Sequence, residues 1–187
     1  VIARRGLDRA RYSDIAHESG VAVSTLQHAF GRLDEILNLA FEHALANEAR
    51  FLDELPTAQA AGAWERMEAF IAGALASPLE PHANSQDDQD SWLIWVELWR
   101  TATRDAETSR RTTATYRRWW RAAEEIIEHG QQEGSFTRKA SAHDLAVAIN
   151  ALIDGLAVGL LLRHDRGDLD SARRIALLAA RRTLATE

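Results

Sequence analysis

Residues 12–30 read Tyr12-Ser13-Asp14-Ile15-Ala16-His17-Glu18-Ser19-Gly20-Val21-Ala22-Val23-Ser24-Thr25-Leu26-Gln27-His28-Ala29-Phe30, and this stretch decides the fold. It predicts two short helices hinged at Gly20. In the first, Ile15 and Ala16 supply the buried side. In the second, Val23, Leu26 and Phe30 fall at i, i+3 and i+7, one apolar stripe bound for the core. Gly20 can take the positive φ that ends the first helix, and Val21 is expected to plug the inside of the turn. Two helices joined by a short glycine turn form a helix-turn-helix, whose second helix can enter a DNA major groove.

The order of residues says more. Ile15-Ala16, Gly20-Val21, Thr25-Leu26 and Phe30 are followed at once by an amphipathic run, Asp34-Glu35-Ile36-Leu37-Asn38-Leu39-Ala40-Phe41. This string resembles the N-terminal domain of TetR-family transcriptional regulators. The likeness is close over about residues 1–48 and looser beyond, where Ala151-Leu152-Ile153-Asp154-Gly155-Leu156 looks like the start of that family's dimerisation helix. The resemblance implies an all-α protein of about nine helices. Residues 1–48 would be the DNA-binding head with its connecting helix, and residues 49–187 an effector-binding and dimerisation body. It also implies a cytoplasmic homodimer, a double-stranded DNA operator, and a small-molecule effector that releases a repressor. A helical small-molecule-binding protein with a degenerate head is the alternative.

By the same resemblance, the DNA-facing positions are Ala22, Val23, Ser24, Thr25, Gln27 and His28. Gln27 is long enough for a bidentate contact with adenine; Ser24, Thr25 and His28 can donate to phosphate. Four positions depart from the family pattern. The usual caps are replaced by Arg11 and Ala22, at about 1 kcal/mol for each missing cap. The aromatic after Thr-Leu is Gln27, and the phosphate-binding Lys is Leu33, with Arg32 one position earlier. Arg11 and Arg32 either supply the lost phosphate contacts or are merely solvated.

Net charge is −6, which at face value disfavours a nucleic-acid binder. Yet residues 1–33 hold five arginines against three acids, a net +2, leaving −8 on the rest. A basic head on an acidic body suits a protein that touches DNA with one end. Three prolines and ten glycines, amid abundant Ala, Leu, Arg and Glu, favour helices throughout. The absence of cysteine excludes disulfides and thiolate chemistry. Val1-Ile2-Ala3-Arg4-Arg5-Gly6 reads as the end of a helix; family shape and helix-length priors place roughly 10–20 residues before it.

Beyond the head, a fourth helix is expected over about 32–52, another over 58–76, a polar loop over 78–90, then helices over 91–103 and 106–129, with Gly130 to Gly134 as the stop. Ser141 opens a helix in capping-box style, residues 164–167 turn the chain, and Asp168 can cap the last helix. The apolar run Leu145–Leu162 is interrupted by Asn150 and Asp154 and is only at the lower edge of a membrane span, so no membrane partner is expected. With the final helix it could form half of an intersubunit four-helix bundle through Ile149, Leu152, Gly155, Leu156, Gly159, Leu160, Ile175 and Ala179.

Trp92, Trp95 and Trp99 share one helix face, Tyr116, Trp119 and Trp120 cluster on the next helix, and Trp64 lies before the loop. Such a set can line a partly apolar effector pocket with N–H donors at its edges; for any single Trp, plain core is the simpler role. No catalytic residue, cofactor or metal site is expected. The seven histidines are scattered, Glu125 and His129 are explained by a solvated helix face, and no phosphate loop or nucleophile motif occurs.

Overall fold

Polar caps and glycine stops cut the chain into α1 (Ile2–Arg5), α2 (Tyr12–Ser19), α3 (Val23–Phe30), α4 (Leu33–Glu54), α5 (Ala63–Leu75), α6 (Ser85–Ala102), α7 (Ala106–Glu133), α8 (Ala142–Leu161) and α9 (Leu169–Leu184). A 3₁₀ turn, Leu7–Arg9, joins α1 to α2. The computed structural model describes residues 1–56, 60–75, 85–162 and 168–186, and among these there is no strand. The all-α class and the number of helices match the expectation.

Helix starts follow from local chemistry. Asp105, Ser141 and Asp168 each accept from a backbone N–H in the first turn, at 2.6, 3.0 and 2.6 Å, satisfying donors that have no partner within the helix. Arg11 and Arg32 cannot accept, but the return half of a capping box survives at both. Asp14 accepts from the Arg11 N–H at 3.0 Å, and Glu35 from the Arg32 N–H at 3.1 Å. At Ala22 no side chain caps α3.

Several boundaries differ from those expected. Of the supposed loop over 78–90, residues 78–84 lie outside the described residues, while 85–90 already belong to α6. The expected turn over 164–167 also lies outside them. Helix α7 does not stop at Gly130 but runs through it to Glu133. Phe136 folds back on that spot so closely that a Cβ on Gly130 would stand 2.2 Å from its ring.

The body packs α5, α7, α8 and α9 around Met67, Phe70, Ile71, Ile127, Ala146 and Ala176, all essentially fully buried. Alanines 172, 176 and 180 recur every four residues on α9, so its neighbours approach closely. Helix α8 is long and apolar enough to cross a membrane by length and composition. Here it is a core helix, burying Ile149, Ile153 and Ala157.

The head is thinner. Gly20 takes the left-handed conformation (φ 69°) that turns α2 into α3. Ile15 and Ala16 are half-buried, and Leu26 is the buried residue of α3. The core assignment of Phe30 and the plug role of Val21 are corrected: they are 38% and 37% exposed. Two eight-residue helices enclose a side chain where they cross, at Leu26, and leave both ends of α3 at the surface.

Candidate effector site and DNA-reading face

The aromatic residues sort into three groups. Trp95 is the hinge of the first. Its ring meets Trp99 at 6.2 Å and Tyr116 edge-on at 5.5 Å, while Trp92 lies 6.5 Å from Trp99 and Trp120 lies 5.8 Å from Tyr116. The run therefore bridges α6 and α7. Trp92 and Trp95 are buried; Trp99, Tyr116 and Trp120 are half-buried. Trp119 turns the other way, stacking on Phe51 of α4 at 5.5 Å and edge-on to Phe70 of α5. Trp64 stands apart, T-shaped on Phe136 at 4.7 Å, with the Arg181 guanidinium 5.2 Å over its ring. Helix phase decides this split, because adjacent Trp119 and Trp120 must point about 100° apart.

One functional candidate escaped the sequence reasoning. Asp154 of α8 accepts from the Tyr116 hydroxyl at 3.1 Å, so a carboxylate closes the aromatic run. Burial pushes the Asp154 carboxyl above the usual range, partly offset by that hydrogen bond. Burial first, and the Asp154 charge second, push the Tyr116 phenol well above its ordinary value. The Trp99 indole N–H beside the Tyr116 hydroxyl partly offsets that rise. Rings and one carboxylate are the parts that hold an organic cation. The signal for Asp154 was an ionisable residue inside an apolar helix, read only as an objection to a membrane span.

On α3, Ser24, Thr25, Gln27 and His28 all point to solvent, opposite buried Leu26; Ala22 is exposed and Val23 half-buried. The basic residues around them are engaged. Arg4 pairs with Glu18 at 2.9 Å, Arg5 with Asp14 at 3.2 Å and Arg32 with Asp34 at 3.0 Å. Arg11 donates to the carbonyls of Asp8 and Ala10 at 3.1 and 3.0 Å. Phosphate contacts by Arg11 or Arg32 would exchange these partners.

On α8 the outward stripe is Val147, Ala151, Gly155, Val158 and Leu162, all exposed, with Ile175 and Leu178 exposed on α9. A Cβ on Gly155 or Gly159 would meet nothing within 4 Å. Ile149 is buried in the chain's own core, and Leu156 and Leu160 pack against that core. Of the residues expected at a seam, Gly155 and Ile175 are exposed, Leu152, Leu156, Gly159, Leu160 and Ala179 are half-buried, and Ile149 is buried.

Residues 79–185 match the family of BetI-type transcriptional repressors, C-terminal domain. The chain is a TetR-family transcriptional regulator. Its body is of the BetI type. It is 28% identical over 171 residues to the HTH-type transcriptional regulator BetI of Brucella abortus, covering 91% of this chain and 79% of that one. Among solved structures it resembles a transcriptional regulator from Saccharomonospora viridis in complex with choline, with 27% identity, a TM-score of 0.82, and coverage of 100% and 92%. The fold is shared with FadR of Bacillus subtilis in complex with stearoyl-CoA, at 20% identity, a TM-score of 0.71, and coverage of 96% and 91%. Membership of this family indicates a regulator rather than an enzyme.

Proposed function

We propose that this TetR-family member is a cytoplasmic, homodimeric repressor whose operator binding is relieved by a quaternary-ammonium cation of choline's class. The observation that carries the ligand class is the Tyr116–Asp154 hydrogen bond at the end of the Trp92–Trp95–Trp99–Tyr116–Trp120 run. Ring faces attract a quaternary ammonium, and a partly buried carboxylate supplies the counter-charge while repelling acids. The choline held by the Saccharomonospora viridis regulator supports the same class.

The head (residues 1–48) reads DNA through Ser24, Thr25, Gln27 and His28, and the body (49–187) binds the effector and pairs across the outward face of α8 and α9. One helix-turn-helix makes few contacts, and a two-fold dimer doubles them at successive major grooves.

The test is a titration followed by tryptophan fluorescence, comparing choline with its neutral carbon isostere, 3,3-dimethylbutan-1-ol. Choline should bind at least about tenfold more tightly, a difference of roughly 1.4 kcal/mol. Equal affinity for the two would remove the cation assignment. DNA upstream of its own gene should be bound by the free protein and released on adding choline.

A further inference from the structure

Among the described residues four polar side chains are buried: Asn47, Thr112, Thr115 and Asn150. Three of them are satisfied close by. The Asn150 amide donates to the Ala146 carbonyl at 2.9 Å, the Thr115 hydroxyl donates to the Arg111 carbonyl at 3.3 Å, and Asn47 accepts from Arg50. Thr112 differs: its Oγ1 is buried without a hydrogen bond. The bond to the carbonyl four residues back, which Thr115 makes on the same helix, is not made here. An unpaired buried hydroxyl is destabilising, and valine would fill the same shape without that cost.

The place of Thr112 indicates what the hydroxyl serves. It precedes Tyr116 by four residues and shares its face of α7. Helical side chains lean toward the helix N-terminus, so Tyr116 reaches over the turn that carries Thr112. Helices α6 and α7 run antiparallel across a short connection, with the Trp95 and Tyr116 rings in contact at 5.5 Å. Four residues back along α7 is then level with four residues onward along α6, which sets Thr112 opposite Trp99. The Trp99 ring meets Trp95 at 6.2 Å, and its indole lies beside the Tyr116 hydroxyl. The unpaired hydroxyl is thus one helical turn, about 5.4 Å, from the level at which Tyr116 donates to Asp154.

We propose that Thr112 is a specificity-determining residue of the effector site, its hydroxyl pairing with a hydroxyl carried on a short arm of the bound cation. The aromatic rings and the Asp154 carboxylate hold the ammonium head, which every quaternary ammonium ion presents alike. They do not distinguish an alcohol from an alkyl group. Thr112 does, because a threonine hydroxyl both donates and accepts and can meet an alcohol in either role. A methyl group in the same place would leave the threonine unpaired, whereas an alcohol satisfies both partners. The inference rests on the proposed ligand site and adds which cations of that class it selects.

The experiment titrates the full chain with choline and with propyltrimethylammonium, in which a methyl replaces choline's hydroxyl, following tryptophan fluorescence. The ratio of the two affinities is compared between wild type, Thr112→Val and Thr112→Ser. Thr112→Val should move the ratio at least about tenfold toward propyltrimethylammonium. Thr112→Ser keeps the hydroxyl and should hold the ratio within about threefold of wild type. A ratio unmoved by Thr112→Val overturns the proposal, as does an equal loss for both ligands, the mark of a structural role. Thermal melts of the free protein give a second reading. Thr112→Val should melt no lower than wild type, since the hydroxyl it removes has no partner to lose. A lower melting temperature, or failure to fold, would reveal a partner within the protein and overturns the role. If the wild type binds neither cation, the ligand assignment fails and the role of Thr112 with it. If it binds both and Thr112→Val leaves the ratio unmoved, only the role of Thr112 fails.

Discussion

The Tyr116 hydroxyl donates a 3.1 Å hydrogen bond to Oδ2 of Asp154, joining the aromatic run of α7 to a carboxylate in the apolar middle of α8. Asn at position 154 can still accept from Tyr116 but carries no charge. Asp154→Asn should weaken choline binding about tenfold, roughly 1.4 kcal/mol, and leave the neutral isostere unaffected. The pH dependence has a definite sign. Asp154 has a raised carboxyl pKa in the fold, so it binds a proton more readily folded than unfolded. Stability should therefore rise as pH falls from above its folded pKa toward its unfolded one, while choline affinity falls over the same window. Asp154→Asn should flatten both slopes, read by thermal melts and titrations across that range.

Gly155→Arg separates assembly from folding. A Cβ there meets nothing in the chain itself within 4 Å, so the monomer should fold with an unchanged circular-dichroism spectrum. At a subunit seam the same guanidinium would be buried without a partner, at several kcal/mol. Sedimentation should show a wild-type dimer at micromolar concentration and a monomeric variant; a dimeric variant would move the seam elsewhere.

Gln27→Ala should cost about 1–3 kcal/mol of specific DNA affinity and relax preference at one base pair per half-site. Arg32→Ala should weaken all sequences alike and lower the salt slope, the outcome expected of an arginine that exchanges Asp34 for a phosphate. Binding isotherms on single-base operator variants at two salt concentrations distinguish these roles.

Gly130→Ala should destabilise the body by about 1–3 kcal/mol, as overpacking against Phe136 forces that ring to shift. Phe136→Ala, at a side chain 1% exposed, should cost about 3–5 kcal/mol. If urea melts showed Gly130→Ala as stabilising, by its better helix propensity, the ring contact would be too soft to matter.

Sequence alone determined the elements whose causes are local. The Gly20 hinge, the Ser141 and Asp168 caps and the shared face of Trp92, Trp95 and Trp99 are set by residues within one or two turns of each other, where helix geometry leaves little choice. Tertiary structure decided everything that depends on which face meets which neighbour. Trp64 and Trp119 were separated from the other aromatics because their neighbours, Phe136 and Phe51, come from distant segments. Which residues of α8 lie outermost was decided by packing, since an apolar helix with residues all round carries no local mark of its inward side. Phe30 stayed at the surface because two short helices cannot cover both ends of α3. Asp154 gained meaning only when packing brought Tyr116, 38 residues away in the chain, to its carboxylate.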